Sequence, residues 1–495
     1  MKRPMLLCGI GAILISALFG IVSRHTALAV VLVITIPIFV IITFILKGKI
    51  FHYIPLLAAI ILVSCLCFIE YGNLENFNSL CGKQIVHGTV CEKDKIGGSA
   101  IYTIKVSSIG STRVDCKIKL IDSKGRALSR GYSAELLTVI NGIAPKSDLG
   151  NGVVASGYLC DVYRKDESKS FIYRIGNDFQ KLVSDALDYE IAGTITGMSV
   201  GNRGAVPASV GDNFRKTGIS HVLVVSGMHL SILVGGIYRF LAGLRMDRRR
   251  AGVIGIACTL FLMALTGMSV SVVRAGLVYI IMFIGLIMRR SPDPINSLFL
   301  ALTIIIAENP FAIFSVSFQL SFAATFGVIV IVPLLRGDGV KKPNPCTAVG
   351  EYFIDSLLIS LSASIMIMPI VVYYFGTLNP VMLAANFLAV PLSTAILLFS
   401  AAAALSFSLA PVSMVFIAAA GLAAKLMILI SDKLGSLPFA YFSASNRAVS
   451  VIIMSALALL WLAFSYARYD KLKKMKKEEQ KNADYERNGF KKKYR

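Results

Sequence analysis

Long apolar runs, broken by short basic turns, make up most of this chain. Residues 5–22, 27–46 and 50–69 come first, and each is close to the roughly 20 residues a helix needs to cross a bilayer core. A polar stretch intervenes. Apolar runs resume at 219–243, 252–266, 270–288, 295–307 and 318–335, then at 353–375, 381–407, 412–430 and 449–467. From Ser356 to Ala424 there is no Asp, Glu, Lys or Arg, which suffices for more than two spans. The pattern predicts a polytopic α-helical membrane protein of about twelve spans.

Basic residues set the direction of the chain. Lys2-Arg3, Lys47 and Lys49, Arg245 with Arg248-Arg249-Arg250, Arg289-Arg290, Arg336 with Lys341-Lys342, and the tail from Arg468 all fall on one side when the spans are threaded in turn. Cytoplasmic loops carry an excess of Lys and Arg, so both termini are expected inside. Residues 70–176 are then extracytoplasmic. Their own lysines do not contradict this, because long domains are exempt from the charge rule. No small-x-small cleavage site follows the first run, and the second begins at Ala27, so the first run reads as an uncleaved span.

The polar stretch has a different period. Tyr102, Ile104 and Val106 alternate with Thr103 and Lys105; Cys116, Ile118 and Leu120 alternate with Lys117 and Lys119; Val86, Gly88 and Val90 alternate with His87 and Thr89. A period of two means half-buried strands. Segments 131–140 and 152–160 bring the expected number to about five, which suits a small OB-like β-barrel. Five regions follow: three N-terminal transmembrane helices (1–69), the extracytoplasmic β domain (70–176), interfacial amphipathic helices (177–218), a second transmembrane domain (219–467) and a basic cytoplasmic tail (468–495).

Composition agrees. The chain is 56% hydrophobic and 16% charged, against about 25% charged in soluble chains. The formal charge of +22 follows mainly from basic inner loops and a Lys-rich tail, which is expected to be solvated or to touch anionic lipid.

No enzyme site is visible. There is no Gly-x-x-x-x-Gly-Lys-Ser/Thr and no His-Glu-x-x-His, and the five histidines are scattered. Neither a catalytic residue, a metal nor a cofactor is expected. Four cysteines, Cys81, Cys91, Cys116 and Cys160, lie in the outer domain, where disulfides can form; four allow three pairings, and none is assigned.

Several polar residues sit in or beside the apolar runs. Arg203, Arg215 and Lys216 precede the span at 219–243, which carries Ser220, His221, Ser226, Gly227 and His229. On one helix, the two histidines would lie roughly 80° apart. They either bond neighbouring helices or face a wet conduit with the serines. Gly227 allows a close helix approach or a helix break. Arg274 lies about six residues into its span: it either snorkels outward or is held inside for a partner or an anionic cargo. A fixed guanidinium suits phosphate oxygens. Asn296, Gln319 and Asn386 favour a polar interior. Asn386 is five residues before Pro391, so a broken helix is expected there.

The order of these motifs resembles that of the ComEC-type competence family. The matching blocks are Gly197-Met198, Gly201-Asn202-Arg203, 214–221 and Ser226-Gly227-Met228-His229; then 265–275; then Arg289-Arg290 to Asn296, Asn309-Pro310 and 317–322; then Asn379-Pro380 and 386–391. The resemblance implies a multi-pass protein of the bacterial cytoplasmic membrane that passes single-stranded DNA. It implies an extracytoplasmic OB-fold domain, and a DNA receptor, a separate nuclease and a cytoplasmic helicase as partners. Many family members carry a metallo-β-lactamase-like domain after the spans. Here a basic tail follows the last span, so nuclease activity is expected from another chain. A secondary transporter for a small anionic or nucleotide-like solute is the alternative that chemistry alone allows. A scaffold anchoring the barrel is disfavoured by the polar residues within the spans.

Overall fold

The computed structural model describes residues 4–21, 54–96, 99–126, 128–166, 170–223, 225–289, 293–336, 345–443 and 456. The run 27–46, nearly all of the run 449–467 and the basic tail lie outside the described residues.

Two helices, α1 (Pro4–Ile21) and α2 (Ile54–Phe77), precede five strands: β1 (Gly82–Ile96), β2 (Ser99–Ile109), β3 (Thr112–Asp122), β4 (Ser133–Ile143) and β5 (Val153–Asp166). The strands close into a barrel in the order β1-β2-β3-β5-β4. β3 and β5 pair in parallel and the other neighbours antiparallel. Closure needs a bent β1, which pairs with both β2 and β4; its register shifts at His87/Gly88 and Val90/Glu92 supply the bend. The alternation read from the sequence places the core. Tyr102, Ile104, Ile118 and Leu120 are fully buried, while Lys105 on the opposite face is exposed. Each such aliphatic side chain stabilises the barrel by about 1.5–3 kcal/mol relative to exposure. Buried Asp122 is not left as a bare charge. It accepts from the backbone N–H of Lys124 and of Arg126, and from the Arg126 guanidinium at 3.2 Å.

Cys81, Cys91, Cys116 and Cys160 are all unpaired thiols. Cys116 lies opposite Val106, Cys91 falls in the β1 bulge, and no two cysteines face each other across any strand pair. A disulfide needs close, facing Cβ atoms. Burial pushes the Cys116 thiol up to about 12.

A short helix, α3 (Lys146–Leu149), turns the β4–β5 corner. After the barrel come α4 (Phe171–Ala186), α5 (Tyr189–Val200), α6 (Ala208–Lys216), α7 (Gly227–Gly243), α8 (Arg248–Leu265), α9 (Val270–Ile287), α10 (Pro294–Glu308), α11 (Val316–Arg336), α12 (Pro345–Phe375), α13 (Met382–Leu405) and α14 (Ala410–Gly435). Among the described residues, four helices are long and apolar enough to cross a bilayer, and they lie in α11, α12, α13 and α14.

Three helical segments differ from the sequence reading. Residues 219–243 are not one helix. A 3-10 turn at Ser220–Val222 is followed by extended backbone at Ser226, and α7 starts only at Gly227. His221 and His229 therefore share no helix, and their angular spacing on one has no meaning. Second, α13 is unbroken, with Pro391 inside it. The Ser393 and Thr394 hydroxyls turn back onto the helix and donate to the Val390 carbonyl at 2.8 and 2.9 Å. Third, α5 is not amphipathic. Ala192 to Met198 are buried without a break, packed with α13 and α14 around Ile195.

The chain divides into two compact units, Met1–Ser364 with Asn379–Tyr441, and Ile365–Leu378 with Phe442–Arg495. In the second, β6 (Thr377–Leu378) pairs antiparallel with β7 (Phe442–Ser443), and the rings of Tyr373 and Tyr374 meet edge-on at 5.0 Å.

Candidate functional site

Two contacts within the first unit seat the barrel on the helices. The β4–β5 corner meets the turn between α10 and α11. Asn309 Nδ2 donates to Leu149 O at 2.8 Å, Ser315 Oγ to Asn151 Oδ1 at 2.6 Å, and Lys146 Nζ to Gly20 O at 2.6 Å.

The second contact centres on Arg130, which is 7% exposed. Its Nε donates to Cys91 O at 3.1 Å, Nη1 to Val200 O at 2.6 Å and Nη2 to Leu265 O at 3.2 Å. Val200 is the last residue of α5 and Leu265 the last of α8. One cation thus caps the negative ends of two helix dipoles while holding a strand carbonyl. The ring of Tyr173 lies 5.5 Å from the guanidinium carbon. Gly267, at φ +81°, closes α8 and leaves room for the guanidinium, which any Cβ there would strike. Burial lowers the pKa of Arg130 and raises that of Tyr173 to about 12. Arg130 is absent from the sequence reading, because its partners are backbone carbonyls, which leave no mark in a sequence.

The segment after α5 joins this seat. Asn202 Nδ2 donates to Gln180 Oε1 at 2.9 Å, and a Cβ on Gly204 would fall 2.8 Å from Lys93 O of β1. Arg203, between them, is exposed. Further on, Arg215 and Lys216 present exposed side chains, and their carbonyls accept from Asn379 Nδ2 at 3.2 and 2.6 Å.

Beneath the seat a polar cluster forms where α7, α9 and α11 begin. Gly227 lets α7 approach α9: a Cβ there would be 3.0 Å from Ala275 Cβ. One residue before Ala275 stands Arg274, 6% exposed. It does not snorkel. Its Nη2 donates to Ser271 Oγ at 2.9 Å, that oxygen lies 2.9 Å from Ser317 Oγ, and the guanidinium stands 5.3 Å from the Phe318 ring centre. His229 is fully buried, and its Nδ1 accepts from the Ser226 N–H at 3.3 Å. A neutral imidazole so bonded carries its proton on Nε2, which has no hydrogen-bond partner among the described residues. Ser220 and His221, on the turn before α7, are exposed.

Three other predicted residues divide. Asn386 is 7% exposed on α13, a helix that packs against α5, α7 and the turn at Ser220–Val222; its Oδ1 has no partner among the described residues. Gln319 Nε2 donates to Ile313 O at 2.8 Å and steadies the turn on which the barrel rests. Asn296 is not part of the cluster. It accepts from Met5 N–H at 3.2 Å at the start of α10, roughly 20 Å along that helix from the barrel. The cluster therefore offers cationic, imidazole and hydroxyl groups inside a helical bundle.

The family model described as "Competence protein" matches residues 198–469, more than half of the 495 residues. ComE operon protein 3 of Bacillus subtilis (strain 168) is 27% identical over 231 residues, 46% of this chain and 28% of that protein. The uncharacterized protein YcaI of Escherichia coli (strain K12) is 27% identical over 207 residues, 40% of this chain and 27% of that one. An uncharacterized protein of Aquifex aeolicus (strain VF5) is 29% identical over 194 residues, 39% and 45% of the two chains. The matches thus span less than half the length of these relatives. No solved structure matches the chain.

Proposed function

The chain belongs to the competence protein family, and we propose that it passes single-stranded DNA across the bacterial cytoplasmic membrane. Family membership supports a role in DNA uptake; the passage of a single strand is our reading of the polar cluster. Arg274 carries it. A guanidinium is costly inside a helical bundle, and here it is fixed by Ser271 and by the Phe318 ring, directly beneath a β domain. Such a group meets phosphates in a planar fork.

In this reading the barrel is of the OB type, for which the order β1-β2-β3-β5-β4 speaks. It faces outward above about twelve spans. A DNA receptor hands the strand to the barrel.

A strain lacking the gene is expected to take up no labelled transforming DNA, and the complemented strain to recover it. Undiminished uptake in the deletion strain would end the proposal. Orientation has its own check. In a cysteine-free background, Ser107→Cys on the barrel should react with an impermeant thiol reagent in intact cells, and Arg249→Cys should not. The reverse labelling would place the barrel inside.

A further inference from the structure

Six exposed arginines gather at the ends of α7, α8 and α9 that point away from the barrel: Arg239, Arg245, Arg248, Arg249, Arg250 and Arg289. Their common location follows from packing. α7 and α9 meet near their starts, at Gly227 and Ala275. α8 runs the other way, since a Cβ on Gly252 would fall 2.7 Å from Ile287 at the end of α9. Asp247 is the one acid within 239–250, and its carboxylate is engaged at the start of α8, accepting from the Arg249 N–H at 3.1 Å. Among the described residues none of the six guanidiniums has an ion pair. Beside the arginines lie large apolar side chains that are equally open: Phe240, Leu244, Val253 and Met288, at 67, 60, 59 and 58% exposure.

An excess of positive charge at a membrane surface is expected of any inner loop. Three features go beyond that expectation. Arg248-Arg249-Arg250 begin α8, where the helix dipole disfavours cations. Arg245 and Arg289 end α7 and α9 with φ of 54° and 56°, in the left-handed conformation where glycine is usual. At its barrel end, α8 has Gly267 in the same position. Finally, the guanidiniums border an apolar belt rather than bulk polar surface.

We propose that this end of α7, α8 and α9 binds an anionic phospholipid. The headgroup phosphate lies among the guanidiniums, whose forks match its oxygens. The acyl chains lie along Phe240, Leu244, Val253 and Met288. The bound anion relieves the like-charge arrangement at the start of α8.

The test uses the purified full chain in detergent and follows its thermal unfolding. A ligand that binds the folded state raises the unfolding temperature. Phosphatidylglycerol should raise it more than phosphatidylcholine does, and inorganic phosphate alone should give only a small part of that rise. The double variant Arg245→Gly/Arg289→Gly should fold as well as the parent without lipid, because glycine suits both positions. It should lose most of the difference between the two lipids. Arg248→Gln/Arg249→Gln should lose it as well, without any change in left-handed backbone. Equal shifts with both lipids, or a full difference retained by both variants, would overturn the proposal. A single-stranded oligonucleotide that stabilises as much as phosphatidylglycerol would also overturn it and assign the surface to nucleic acid.

Discussion

Arg130→Ala is expected to release one side of the barrel from the helices and to lower the stability of the protein by on the order of 2–4 kcal/mol. The variant removes three hydrogen bonds at once, to Cys91, Val200 and Leu265. The carbonyls of Val200 and Leu265 close helices α5 and α8, so both lose a capping cation as well. Part of this loss is offset, because a buried charge is no longer desolvated. Arg130→Lys should recover little, since one ammonium cannot present a planar fork to three carbonyls. The barrel's own core, around Tyr102, Ile104, Ile118 and Leu120, is untouched. Limited proteolysis should therefore cut near the 126–132 loop in the variant while the strands stay resistant. Unchanged unfolding and an unchanged digest in Arg130→Ala would show that the corner at Leu149 and Asn151 holds the barrel unaided.

The barrel was legible because a half-buried strand repeats every two residues, and Tyr102, Ile104, Ile118 and Leu120 kept that period. The existence of the helices was legible from apolar runs. Their boundaries were not. Residues 219–243 form one apolar run in the sequence, yet the first part is a turn and extended chain. Apolar content records burial, and an irregular segment can be buried too when its backbone is bonded. Ser226-Gly227 was the only sign of the break. At Pro391 the opposite happened: proline suggested a break, and the helix continues through it. The polar cluster itself was partly readable. Arg274, Gly227 and His229 do meet near one another's elements, whereas Asn296 joins α1 to α10 elsewhere. The arginine that seats the barrel could not be read, because Leu128-Ser129-Arg130-Gly131-Tyr132 resembles any exposed turn. Only the fold brings two helix ends to it.

Arg274→Ala is expected to reduce DNA uptake by about tenfold or more, the loss that corresponds to one charge-assisted contact of about 1.5–3 kcal/mol. The structure also gives Arg274 a mechanical task. It holds Ser271 of α9, whose hydroxyl meets Ser317 of α11, and it lies over Phe318. A loss of uptake could therefore come from loosened helices instead of a missing phosphate contact. Ser271→Ala separates the two. It removes the link to Ser317 and one of the contacts that fix the guanidinium, yet keeps the charge against the Phe318 ring, so under the conduit reading it should retain most of the uptake. Under the mechanical reading it should behave like Arg274→Ala. Arg274→Lys keeps a charge at the same depth but not the fork, and partial uptake is expected from it. Folded protein extracted in detergent should be measured on the same strains. Normal uptake by Arg274→Ala removes this residue from the path. Low uptake together with little folded protein, repeated in Ser271→Ala, makes it a helix tie. Low uptake with ample folded protein, spared in Ser271→Ala, leaves contact with the passing strand as the role of its charge.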